Sequence, residues 1–152
     1  MDLKEYKQNY LPIFRLLKKL TPAQINYKPD KNSWSIHEII THLADTEVQS
    51  HVRFRTILAN KDTKMIYFDQ MDWSILLEYT KVDFKESLQV IDLMRKVNFN
   101  LLSRLRPEQF NKKGIHSVRG ELSLEELINF YVQHVNKHAG QISRNLSLLQ
   151  KG

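Results

Sequence analysis

The sequence predicts an all-α chain, a four-helix bundle with long connections between its helices. Three observations carry that prediction. Apolar residues recur at three- and four-residue intervals almost throughout the 152 residues, the spacing of one helix face. Only four glycines and four prolines interrupt the pattern. Two capping boxes, Ser35 to Glu38 and Ser123 to Glu126, stand immediately before long amphipathic runs.

The first helical segment spaces Tyr6, Tyr10, Ile13, Leu17 and Leu20 by threes and fours, and Pro12 either kinks it or marks a late start. Thr21-Pro22 reads as an N-cap followed by proline at the first helical position, opening a short turn. A polar connection containing Pro29 spans 26–34. The second helix runs from the Ser35 box to about Leu58, with Ile36, Ile39, Ile40, Leu43, Phe54, Ile57 and Leu58 inward. From Asn60 to Thr80 the pattern is less regular; Tyr67-Phe68 reads as extended and 71–77 as a short helix crossing between bundle helices. A third long helix is expected from Asp83 to Leu105, stopped by Pro107, with Phe84, Leu88, Ile91, Leu102 and Leu105 inward. Residues 111–121, which include Gly114, His116 and Gly120, read as a loop, and the last helix continues from the Ser123 box to about Leu149. The connections between helices two, three and four, roughly 24 and 17 residues, exceed what a minimal up-down bundle needs. They leave room for unusual topology or for walls over one end of the bundle.

Composition narrows the function classes. The chain reads as a single domain over 1–152, and 41% hydrophobic with 26% charged residues is a globular balance. With no cysteine, disulfides, thiolate metal sites and thiol nucleophiles are excluded. The N-terminus is charged from its second residue, and no run approaches the roughly 18 apolar residues of a membrane span. A cytoplasmic protein without a membrane partner is expected. The net charge is +6, but the basic residues are scattered as Lys18-Lys19, Arg53 with Arg55, Arg104 with Arg106, and Lys112-Lys113. No aromatic-interleaved basic cluster or nucleic-acid motif accompanies them, so no nucleic-acid partner is expected.

The histidines carry the functional signal. His134 and His138 are four apart on the last helix, about 40° apart around it, and so project side by side. They flank the apolar stripe of Leu124, Leu127, Ile128, Tyr131, Val135, Ile142, Leu146 and Leu149, and Gln141 and Asn145 continue the same polar line. On the second helix His42 lies at the edge of the stripe with Thr46, Gln49 and Arg53 on its side, while Glu47 and Ser50 fall within the apolar sector. Polar groups beside a core need partners, since leaving one unsatisfied costs about 1–3 kcal/mol. Spacing alone does not separate a ligand pair from two hydrogen-bonded histidines, but a third histidine on a second core-flanking helix points to a divalent-metal site. Three neutral imidazoles suit zinc or another late first-row ion and leave coordination open for water or substrate. Of the other histidines, His37 and His51 read as surface residues and His116 as a loop residue of open role. Trp34 and Trp73 read as core or interface anchors.

These residues resemble the DinB/YfiT superfamily of metalloenzymes. The likeness rests on residues 32–47, Asn-Ser-Trp-Ser-Ile-His-Glu-Ile-Ile-Thr-His-Leu-Ala-Asp-Thr-Glu, on Gly-Glu-Leu-Ser-Leu-Glu-Glu-Leu from Gly120, and on His-Val-Asn-Lys-His-Ala-Gly-Gln-Ile from His134. It covers nearly the whole chain in layout, although 60–110 match only in helical pattern. The resemblance implies a bundle of less usual connectivity, often dimeric, with nickel or zinc held by His42, His134 and His138. It also moves His116 toward the wall of the site. Relatives of this kind include thiol-dependent S-transferases and proteins labelled metal-dependent hydrolases.

Two function classes follow. In the first, the chain is a metal-dependent enzyme acting on a small molecule. His42, His134 and His138 hold one ion, Glu47 and Gln141 orient ligands or bound water, and the open position activates water or a low-molecular-weight thiol. In the second, a non-catalytic bundle dimerises or binds a partner, and the histidines only hydrogen-bond in a polar seam. A chelator-sensitive melting temperature separates the two.

Overall fold

The structure, a computed structural model, describes residues 3–150. The N-terminal segment is two short helices, α1 (Lys4–Gln8) and α2 (Leu11–Leu17), with the break at Asn9-Tyr10 and Pro12 in the first turn of α2. Proline there lacks only an amide that a first turn leaves unpaired anyway. Helix α3 (Pro22–Asn26) starts on Thr21 as the sequence indicates, and Gln24 completes a capping box with it. Helix α4 (Ile36–Ala59) is capped by Ser35 and Glu38, and α7 (Leu124–Leu149) by Ser123 and Glu126. Helix α6 (Phe84–Leu102) begins on Asp83, whose carboxylate accepts from the amides of Lys85 and Glu86.

Two expectations are corrected. Helix α6 stops at Leu102, before Leu105, because the chain tightens there into i,i+3 bonds from Arg104 to Leu101 and from Leu105 to Leu102. The stretch read as a loop forms a hairpin, β1 (Lys113–His116) against β2 (Gly120–Ser123), in antiparallel register with His116 opposite Gly120. Gly120 turns the hairpin at φ 75°, a conformation side chains disfavour. Gly114 lies so close to α4 that a Cβ would come within 2.7 Å of Ile57 and 2.8 Å of Met65. Residues 63–65 bond to Ile115 and tie the hairpin to the connection that leaves α4. That connection also holds the expected short helix, α5 (Gln70–Leu76), capped by Asp69.

Side-chain pairs fix the direction of each helix. Glu47 meets Arg95 and Ser50 meets Asn98, so α4 and α6 run parallel. His42 meets His134 and Asn145 reaches back to Trp34, so α7 runs antiparallel to α4. Tyr6 meets Asn98 and Tyr10 meets Asp92, so α1 and α2 oppose α6. Two consecutive long helices therefore point the same way, and the segment between them crosses the length of the bundle.

The core has two apolar clusters. One joins Ile13, Leu17, Ile36, Ile39, Ile40, Ile91 and Ile142; the other joins Tyr6, Phe54, Ile57, Leu102, Leu127, Ile128 and Tyr131. A buried polar network accompanies them. Arg95 and Glu47 pair at 2.6 Å with essentially no exposure, Arg95 donates to the Tyr6 carbonyl at 2.7 Å, and Asn98 donates to Ser50 and to the Tyr6 hydroxyl. This network satisfies Glu47 and Ser50, the two polar residues that the sequence places in the apolar sector of α4.

Candidate metal centre

His42 from α4 and His134 and His138 from α7 converge within the bundle. The Nε2 atoms of His42 and His134 are 3.1 Å apart, and those of His134 and His138 are 3.2 Å apart. One ligand atom from each of the three lies within 4.8 Å of both others, the only such group of metal-binding side chains among the described residues. His42 and His138 are buried, and His134 is half-buried.

The hydrogen bonds show what this convergence fits. His138 Nδ1 lies 2.9 Å from the Gln141 side-chain oxygen, which places the ring proton on Nδ1 and leaves Nε2 a free lone pair. That lone pair faces Nε2 of His134, which in turn faces Nε2 of His42. Neutral imidazoles packed only for their own hydrogen bonding do not favour such an arrangement, whereas one cation among them satisfies all three. A tetrahedral ion with metal–nitrogen bonds of about 2.0–2.1 Å sets its nitrogens about 3.3 Å apart, close to the spacings observed. His42 Nδ1 is buried and unpartnered, so that ring draws no hydrogen bond from its rear edge. The donor set thus fits a late first-row divalent ion.

The electrostatics favour neutral rings. Burial, followed by the charges of His134, His138 and Lys137, pushes His42 down to about 2. Burial, followed by His138, Lys137, Arg95 and Arg119, pushes His134 down to about 3. Burial also lowers His138, with Gln141 pulling the other way. All three present lone pairs at neutral pH without first losing a proton.

Aromatic rings wall the centre. Trp34 lies 4.9 Å from the His42 ring and stacks at 6.4 Å with His138, and its carbonyl accepts from Asn145. Phe68 stacks on His42 at 6.0 Å and is itself backed edge-on by Trp73 at 4.6 Å. Phe130 lies 5.8 Å from His134. Trp34 is therefore part of the site wall rather than an anchor elsewhere. Phe130 was legible in principle, because 130, 134 and 138 share one helix face. Phe68 arrives from the irregular connection, and no local pattern announces it.

The remaining expected residues separate. Gln141 sits against His138, as its place on the polar line suggests. Glu47 does not reach the histidines: Oε1 pairs with Arg95 and Oε2 lies 3.4 Å from Ser50. Five residues beyond His42, it points about 140° away around α4, toward α6. His37 is half-buried rather than free on the surface, since its Nε2 contacts the Val82 carbonyl at 2.8 Å and its ring meets Phe84 edge-on. His51 is half-buried with Nδ1 unpartnered, and Arg55 bonds its carbonyl rather than its ring. His116 is buried on β1, with its ring 6.1 Å from Phe130.

Comparisons with known proteins agree with this architecture. The profile of the DinB superfamily matches residues 8–142. A protein of Bacillus mycoides (strain KBAB4), provisionally named a metal-dependent hydrolase, is 26% identical over 129 residues, which cover 85% of this chain and 74% of that one. YfiT of Bacillus subtilis (strain 168), with the same provisional name, is 26% identical over 125 residues, or 82% of this chain and 70% of its own. The solved structure of Bacillus subtilis YfiT superposes with a TM-score of 0.88 at 21% identity, covering 97% of this chain and 85% of that one. It is described as a probable metal-dependent hydrolase with an unusual four-helix bundle topology. With the family profile spanning most of its length and the same fold beneath it, the chain belongs to the DinB superfamily.

Proposed function

We propose that the chain is a metal-dependent enzyme in which His42, His134 and His138 hold one divalent ion, zinc or nickel, and that it hydrolyses or transfers a group on a small molecule. The observation that carries this reading is the meeting of three Nε2 atoms at 3.1–3.2 Å steps, with the His138 proton held on the opposite nitrogen by Gln141. The provisional names of the relatives support it. A three-histidine ion supplies Lewis acidity and lowers the pKa of a water or thiol at its open position.

The chain's own residues prepare that position. Gln141 fixes the tautomer and orientation of His138, as outer partners of ligating histidines do. Trp34, Phe68 and Phe130 limit water at the flanks of the rings, which strengthens charge interactions inside. Glu47 acts through Arg95 as a positioning residue, holding α4 against α6 so that His42 meets α7 at the observed spacing. Homodimerisation belongs to the same reading, and the exposed apolar side chains Ile66, Tyr67, Ile75, Leu76 and Leu77 supply a surface for it.

Cobalt(II) substitution tests the proposal and its two chemistries together. Imidazole coordination gives visible d–d bands, expected in the native protein and lost in His134→Ala. A small thiol added to the cobalt protein gives a sulfur-to-cobalt charge-transfer band if thiol occupies the open position; unchanged bands favour water and hydrolysis. Cobalt that keeps its aqueous spectrum in the native protein would overturn the proposal.

A further inference from the structure

A second polar constellation lies beside the histidine centre. Arg53, on α4 about three turns beyond His42, is 5% exposed. No carboxylate pairs with it among the described residues, whereas the other deeply buried guanidinium, Arg95, is neutralised by Glu47. Arg53 Nη1 donates to the Tyr131 hydroxyl at 3.0 Å, and Nη2 donates to the Ile66 carbonyl at 3.1 Å. Its Nε is buried without any acceptor. A buried cation without a counter-ion is costly.

His116 faces it. The amides of Val118 and Arg119 meet His116 Nδ1 at 3.2 and 3.4 Å, so Nδ1 accepts and the ring proton sits on Nε2. That Nε2 lies 3.2 Å from Arg53 Nη1. Two N–H groups therefore confront each other with no acceptor between them, beside the unpartnered Nε–H. Burial, then Arg53 and Arg119, push His116 down to about 4, so the ring stays neutral and adds a donor rather than a second charge. Arg119 places its guanidinium 4.5 Å over the Phe130 ring, which neighbours both His116 and His134. The charged groups acting on His42 and His134 from outside the trio are Lys137, Arg95 and Arg119, all cations.

We propose that Arg53 and His116 form an oxyanion subsite, with Arg119 at its rim, which binds a carboxylate or phosphate group carried by the substrate of the histidine centre. A planar oxyanion takes paired hydrogen bonds from a guanidinium edge, here the unpartnered Nε–H with an Nη, and a further one from His116 Nε2–H. The assignment to that substrate rests on the metal-enzyme reading; the subsite itself does not. The Phe130 ring, next to both His116 and His134, joins the subsite to the histidine centre.

Side-chain NMR of the full chain tests this, observing Arg53 Nε–H and the His116 ring nitrogens. Metal-loaded and chelator-stripped protein are each titrated with acetate and separately with inorganic phosphate, at constant ionic strength against chloride. The proposal predicts saturable shifts at both residues with at least one of these anions, persisting in the stripped protein. It also predicts binding weakened about tenfold in Arg53→Lys, where the fork becomes a point charge, and weaker binding in His116→Phe. Saturation by acetate alone identifies a carboxylate substrate, and saturation by phosphate alone a phosphorylated one. Shifts that stay linear with concentration for both anions overturn the subsite even if a variant fails to fold. Saturable anion binding in a protein with no affinity for metal leaves the subsite standing and removes the metal reading.

Discussion

Gln141 is the residue on which the centre's geometry turns most visibly. Its side-chain oxygen is the contact that sets which nitrogen of His138 is free. Gln141→Leu keeps the volume and removes the acceptor, so the ring can rotate or change tautomer. Metal affinity is expected to fall about 10- to 100-fold, measured by competition with a chromophoric chelator, while far-UV circular dichroism stays unchanged. Equal affinity in the variant would show that packing alone orients the ring. At this scale the sequence was informative where residues share a helix face: His134, His138 and Gln141 are neighbours by spacing. It was uninformative where a partner arrives from elsewhere. Nothing near Glu47 in the chain names Arg95, and nothing near His42 names Phe68.

Among the elements, α4 and α6 are joined in parallel by the buried pair of Glu47 and Arg95. Burial pushes the Glu47 carboxyl up and the Arg95 guanidinium opposes it. Removing one partner strands the other, so Arg95→Met is expected to cost about 3–5 kcal/mol. The double variant Glu47→Leu with Arg95→Met is expected to recover most of that loss, because apolar residues of similar volume often replace such a pair at little cost. Urea unfolding of the single and double variants measures both. Equal losses in the two would indicate that the hydrogen bonds of Arg95 to Tyr6 and Asn9, not the ion pair, hold the helices. Helices α4 and α7 were legible because their capping boxes and apolar stripes are local signals. The hairpin was not, since each strand is only four residues long and much of its pairing is to residues 63–65, distant in sequence.

Over the whole molecule, the long crossover between α4 and α6 brings Phe68 and Trp73 over a site built by α4 and α7, and the hairpin closes it from the side of Phe130. The lengths of these connections pointed to unusual topology, but helix direction follows from tertiary pairs that no single-sequence pattern contains. We propose that this arrangement holds one metal ion on three histidines. Equilibrium titration with zinc, on protein purified without a histidine tag and stripped with chelator, tests it most directly. The expected result is saturation at one ion per chain, a melting temperature that rises with occupancy, and loss of both in His42→Ala, His134→Ala and His138→Ala. No stoichiometric binding, or binding that survives these three substitutions, would contradict it.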